Sequence, residues 1–124
     1  MKDPTNPVCR TISTLLSRIG DKWTVLVVQT LGEGSKRFNE LRREIPSVSQ
    51  RMLTLTLRNL ERDGLVDRTV TPSIPPRVDY ELTELGKSLQ KPISGLATWA
   101  LDNVEAIHEA QARFDSAADK AEAA

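Results

Sequence analysis

Residues 49–66 read SQRMLTLTLRNLERDGLV, and the placement of their leucines and arginines decides what the rest of the chain must complete. At about 100° per residue, Leu53, Leu57 and Leu60 fall on one stripe of a helix. Arg51, Arg58 and Arg62 fall on the opposite side, with Leu55 among them. A helix that meets only water mixes both charge signs on its outer face. This one gathers guanidinium groups around an apolar side chain that gains nothing from hydration. The stretch therefore predicts a helix with one face for the core and one for a partner. Ser49 or Ser47 can cap its start, and Asp63-Gly64 ends it.

Working outward toward the N-terminus, the short turn PSVS (46–49) joins this helix to an earlier one carrying Phe38, Leu41 and Ile45 on one side, which Pro46 stops. Two helices joined so closely are a helix-turn-helix candidate. Before them, KWTVLVVQTL (22–31) is apolar on most sides, as suits the central helix of a small domain; Asp21 is its N-cap and GEGS closes it. Cys9, Ile12, Leu15, Leu16 and Ile19 predict a first helix ended by Gly20, and residues 1–8, with two prolines, a flexible arm.

Toward the C-terminus, LVDRTVT (65–71) and RVDYELT (77–83) read as two strands. Val78, Tyr80 and Leu82 alternate with Arg77, Asp79 and Glu81 in the second. PSIPP joins them as a stiff, projecting loop. Helix-turn-helix followed by a hairpin is a winged helix, so the expected fold is mainly α with a small β-hairpin wing. Thr83 caps a long last helix in which Pro92 is expected to cause a kink. Beyond it, Ile93, Leu96, Ala97, Ala100, Leu101, Val104, Ile107 and Ala110 continue an apolar stripe. So small a core has little surface left to cover that stripe, and a second copy of the chain is the expected partner. The winged helix-turn-helix with its dimerisation helix is assigned to residues 9–112, and residues 113–124 to a frayed tail.

The formal net charge is zero over 124 residues, yet its distribution is uneven. Residues 36–77 carry nine Lys/Arg against five Asp/Glu, whereas residues 78–124 carry four against nine. Local charge governs phosphate binding more than the total does. No apolar run approaches the roughly 20 residues of a membrane span, so no membrane is expected as a partner. The N-terminal MKDPTNPVCR lacks a signal-peptide core, and one cysteine fits a reducing cytoplasm. Aromatic residues make up only 4% of the chain, which argues against a stacking platform for single strands. One cysteine, one histidine, no glycine-rich phosphate loop and no paired acids in a pocket-forming pattern argue against an enzyme, a metal site or a bound cofactor. His108 is placed on the last helix near the dimer seam.

The runs IGDKWTVLVVQTLGEG, RFNELRREIPSVSQRMLTLTLRNLERDGLV and PPRVDYELTELGKSL resemble the HxlR-type group of bacterial winged-helix transcriptional regulators, relatives of the MarR-like proteins, over roughly residues 9–100. The resemblance implies a cytoplasmic homodimer, paired through its first and last helices, that binds duplex DNA and controls nearby genes, more often by repression. Three positions depart from the group's pattern. Ser47 stands where glycine often follows the turn's proline, Cys9 is followed by Arg10 rather than proline, and Leu55 replaces a residue often polar.

A major-groove reader needs side chains that reach base edges, flanked by cations that grip phosphates. Gln50, Arg51, Thr54, Leu55 and Arg58, with Ser49 at the helix start, are the expected reading face. Lys36, Arg37 and Arg43 are expected on phosphates, and Arg77 at the neighbouring minor groove or its backbone. The competing reading of these arginines is a solvated face with local ion pairs such as Arg58 with Glu61, and Arg62 and Arg68, with acids close by, are read as structural. The dimer seam is assigned to Ile12, Leu16, Leu96, Trp99, Ala100, Val104 and Ile107. Some relatives sense electrophiles or oxidants through an N-terminal cysteine, which makes Cys9 a candidate sensor; packing is the alternative, because Cys9 continues the stripe of Ile12, Leu16 and Ile19. A winged helix used as a protein-interaction module without DNA is the rival function. Target genes and any small-molecule effector are not written in the chain.

Overall fold

In the computed structural model, which describes residues 5–123, helices begin where a side chain satisfies an orphan amide. Asn6 accepts from the Val8 N–H at 2.9 Å and opens α1 (Pro7–Ile19), with Pro7 in the first turn, where its missing N–H costs nothing. The arm expected over residues 1–8 is thereby shortened, because Asn6-Pro7 is a start signal; residues 1–4 of that arm lie outside the described residues. Asp21 opens α2 (Lys22–Leu31), accepting from the Thr24 amide at 3.1 Å and its hydroxyl at 3.2 Å. There follow β1 (Lys36–Arg37), α3 (Phe38–Glu44), α4 (Gln50–Arg62), β2 (Val66–Thr71), β3 (Arg77–Leu82) and α5 (Glu84–Ala123).

The two expected strands form the wing, in antiparallel register from Val66 opposite Leu82 to Thr71 opposite Arg77. A third strand, absent from the sequence reading, completes the sheet: β1 pairs with β3, placing Lys36 opposite Tyr80 and Arg37 opposite Asp79, in the order β1-β3-β2. Two residues are too few to show a period-two pattern, so only the backbone pairing reveals this strand.

The chain divides into two units, Met1–Gln90 and Lys91–Ala124. In the first, Val27, Val28 and Leu31 of α2, Leu41 of α3, Leu53, Leu57 and Leu60 of α4, and Val66 and Leu82 at the base of the wing are buried together. Each such side chain contributes about 1.5–3 kcal/mol by leaving water. Thr83 ties the wing to the end of α4, its hydroxyl donating to the Gly64 carbonyl at 2.7 Å and accepting from the Gly86 amide at 3.0 Å. Gly86 admits no side chain, because a Cβ there would collide with the Leu65 carbonyl.

The second unit is the body of α5. The helix runs through Pro92 and through residues 113–123, where a frayed tail was expected. Ala, Glu and Lys, strong helix formers, dominate that end, and no glycine or proline interrupts it.

Candidate nucleic-acid interface

The geometry of α4 is fixed at both ends. Ser49, rather than Ser47, is the N-cap, its hydroxyl accepting from the Met52 N–H at 3.1 Å. At the other end Gly64, with φ of 76°, lets the Leu65 N–H reach the Leu60 carbonyl at 2.9 Å and its own N–H reach that of Glu61 at 3.0 Å. These paired bonds close the helix with a left-handed residue that only glycine adopts cheaply.

Between these caps, Leu53, Thr56, Leu57 and Leu60 are buried, and Gln50, Arg51, Thr54, Leu55, Arg58 and Arg62 are exposed. Leu55 is 51% exposed, an apolar residue held in water. The Thr54 hydroxyl donates to the Gln50 carbonyl at 2.8 Å. Among the described residues, Arg51, Arg58 and Arg62 take part in no ion pair, so the Arg58–Glu61 pairing of the solvated-face reading is not formed.

A second cationic group lies beside the wing. Arg37, Phe38, Asn39, Glu40, Arg43, Pro76, Arg77 and Val78 line an open cleft of about 520 Å³. Strand pairing explains this convergence: β1 lies against β3, with Arg37 opposite Asp79, which carries Arg37 and the first turn of α3 beside the start of β3. Glu40 accepts from the Arg37 amide at 3.2 Å, which steadies the start of α3. Arg77 is held by Asp79 at 2.9 Å while remaining exposed, whereas Arg37 and Arg43 form no ion pair among the described residues. Next to this cleft the loop of the wing is apolar, with Ile74 fully exposed between prolines and serine.

Lys36 does not join that group. Its ammonium sits 3.0 Å from Glu44 and 3.2 Å from Glu33, and its side chain is 13% exposed. Hydrogen bonding to Glu44 is the main influence holding this amine above its ordinary value of 10.5, opposed by desolvation and assisted by Glu33. Two carboxylates face its charge and tie β1 to the end of α3 and to the turn before β1, which sets Lys36 apart from the unpaired Arg37 and Arg43. Nothing in the bare order of residues shows this, since Glu44 approaches only once α3 has turned back.

The structure also brings together residues that the sequence reading set apart. Arg68 faces Tyr80 in the wing register and lines a groove of about 410 Å³ with Thr54, Leu57, Arg58 and Glu61. Arg62 and Arg68, read as structural because acids lie nearby in sequence, form no ion pair among the described residues. On the other flank of α4, Leu55 lines a groove of about 430 Å³ with Met52, Asn59, Arg18 and residues of the α1–α2 junction.

The residues assigned to the dimer seam lie on two helices. In α1 no residue is buried; Leu16 is 59% exposed and Ile12 is half-buried. In α5, Leu96, Trp99, Ala100, Val104 and Ile107 are exposed, and Phe114 extends the same stripe about two turns further. Cys9 is half-buried in the first turn of α1.

Residues 18–108 match the profile of the HxlR-like helix-turn-helix proteins. The chain belongs to that family. Its relatives include the HTH-type transcriptional regulator YdeP of Bacillus subtilis, 42% identical over 81% of this chain and 83% of YdeP. An HTH-type regulator of Methanothermobacter thermautotrophicus is 49% identical over 71% of this chain and 67% of its own length. Among solved structures, the redox regulator HypR in its reduced form has a TM-score of 0.73 at 41% identity, covering 80% of this chain and 98% of HypR. YodB of B. subtilis in its diamide-treated form has a TM-score of 0.67 at 36% identity, covering 78% of this chain and 96% of YodB. The family is one of helix-turn-helix transcription regulators with a winged-helix fold, and these relatives are regulators rather than enzymes. No helix among the described residues is long and apolar enough to cross a membrane.

Proposed function

We propose that the protein is a sequence-specific, double-stranded-DNA-binding repressor that acts in the cytoplasm as a homodimer on an inverted-repeat operator. The observation that carries this reading is the outer face of α4, where three arginines without internal partners surround the exposed Leu55. Such a face suits the major groove. Arg51 or Arg58 can grip guanine through two parallel hydrogen bonds, Gln50 can pair with adenine, and Leu55 or the Thr54 methyl can touch a thymine methyl. Arg37, Arg43 and Arg77, gathered at the loop end of β3, suit the phosphates flanking that groove, with Arg68 a further cation beside Arg58. A protein-interaction module would present an apolar or acidic face here instead.

Dimerisation rests on the uncovered apolar residues of α1 and of α5, which an isolated chain would leave in water. A two-fold pair of α4 helices then meets half-sites about one helical turn, roughly 34 Å, apart. Competition of a selected operator against random duplex over a salt series tests the reading. Binding should favour the operator and weaken with salt at a log–log slope of about −0.9 per phosphate contacted. A slope near zero, or no preference for any fragment, contradicts it.

A second role attaches to Cys9, favoured by the likeness to redox regulators solved in reduced, oxidised and diamide-treated forms. In this reading a two-electron oxidant converts the Cys9 thiol to a sulfenic acid. A second thiol, from the other subunit or from a small thiol, displaces water and leaves a disulfide that re-angles the α4 pair. If Cys9→Ser leaves peroxide- and quinone-induced DNA release unchanged, Cys9 serves packing alone.

A further inference from the structure

We propose that Arg18 is a positioning residue for base reading, fixing the C-terminal end of α4 against α1; this deepens the DNA-binding reading and rests on it. Arg18 Nη1 lies 2.6 Å from Asp63 Oδ2 and donates to the Asn59 carbonyl at 3.4 Å. Asp63 is the C-cap of α4, and Asn59 stands one turn before it. A cation at this place meets both a carboxylate and the partly negative carbonyls of a helix end.

Three features separate this contact from an ordinary surface pair. The two side chains are only 21% and 15% exposed, so water screens them weakly. Residues 18 and 63 lie 45 positions apart, whereas the pairs of Lys36 with Glu33 and Glu44, Arg77 with Asp79 and Lys87 with Glu84 join positions no more than eight apart. Finally, α1 contributes no buried residue, so packing alone does little to hold it against α4. The Arg18 guanidinium therefore supplies a directional tie between α1 and the end of α4, in addition to the apolar packing of Leu57 and Leu60.

Angle matters more than proximity at a reading helix. With its 13 residues, α4 is about 20 Å long, and a tilt of roughly 5° about one end moves the other by about 1.7 Å. That displacement is enough to break hydrogen bonds to base edges, while arginines at phosphates can follow it. Loss of the tie thus lowers discrimination between operator and random duplex. It leaves the number of phosphate contacts, and hence the salt slope, unchanged.

Four variants of the full chain test this: Arg18→Met, which keeps the apolar stem; Arg18→Lys; Arg18→Glu; and Arg18→Glu combined with Asp63→Arg. Thermal melting and sedimentation first establish that each is folded and associates as the wild type does. Arg18→Met should lower the ratio of operator to random-duplex affinity about tenfold with an unchanged salt slope. Arg18→Lys should retain more of that ratio than Arg18→Met. Arg18→Glu should lose the most, through repulsion from Asp63, and the charge-swapped double variant should recover part of it. Full discrimination in folded Arg18→Met overturns the inference, as does a parallel fall of operator and random affinity. A wild type that shows no preference overturns the DNA reading instead, so the two failures are distinguishable.

Discussion

The outer face of α4 and the stripe along α5 are both exposed, but their chemistry is opposite. On α4, arginines surround a single leucine; on α5, Leu96, Trp99, Ala100, Val104 and Ile107 follow one another with acids and polar residues elsewhere. Charged side chains rest comfortably in water, and a stripe of large apolar ones does not. An exposed face therefore identifies its partner by what it would cost to leave uncovered. The cationic face suits a polyanion that releases counterions on binding, and the apolar face suits another copy of itself.

The largest expected effect separates the core face of α4 from its outer face. Leu53 is fully buried, and Leu53→Ala should cost about 2–5 kcal/mol in urea unfolding through lost transfer energy and a residual cavity. Arg51→Ala should leave the urea midpoint unchanged. A comparable stability loss in both variants would erase the distinction between the faces. Next, Leu96→Glu tests the apolar stripe: a carboxylate at a dimer seam should weaken self-association by roughly 100-fold or more in sedimentation equilibrium, with operator binding falling alongside it. If the variant still pairs like the wild type, the seam lies elsewhere.

Arg51→Ala should weaken operator binding by about 1–3 kcal/mol and relax base preference at one position, read by titration against single-substitution operators. The smallest effect is expected at Lys36. Since Glu33 and Glu44 already engage its ammonium, Lys36→Met should leave DNA affinity and the salt slope unchanged and lower stability modestly. Because the folded amine titrates above 10.5, that contribution is fully present below pH 10.5 and disappears only as pH rises through the raised value. A salt slope reduced by about one in Lys36→Met would return this residue to the phosphate contacts.

Elements defined by short-range pattern were legible in the sequence. Period 3.6 announces the helices, period two announces β3, and Asp21, Thr83 and Gly64 mark boundaries that the hydrogen bonds reproduce, while of Ser47 and Ser49 it is Ser49 that caps α4. Contacts made across the fold were not. Strand β1 is too short to carry a period, and Lys36 meets Glu44 only after α3 folds back. Arg58 and Arg68 come together because β2 returns alongside α4, and Arg18 reaches Asp63 across 45 positions. The helical end of α5 is legible in the same way: four alanines with Lys120 and Glu122 are strong helix formers, and they outweigh the small polar residues that suggest a frayed tail.

The measurement closest to the centre of the account is a hydroxyl-radical and methylation footprint of the wild-type complex on a selected operator. Two protected major-groove patches related by a two-fold axis are expected, their centres about 10 base pairs apart on one face of the duplex. One isolated patch, or uniform protection that random competitor removes as readily, would contradict it.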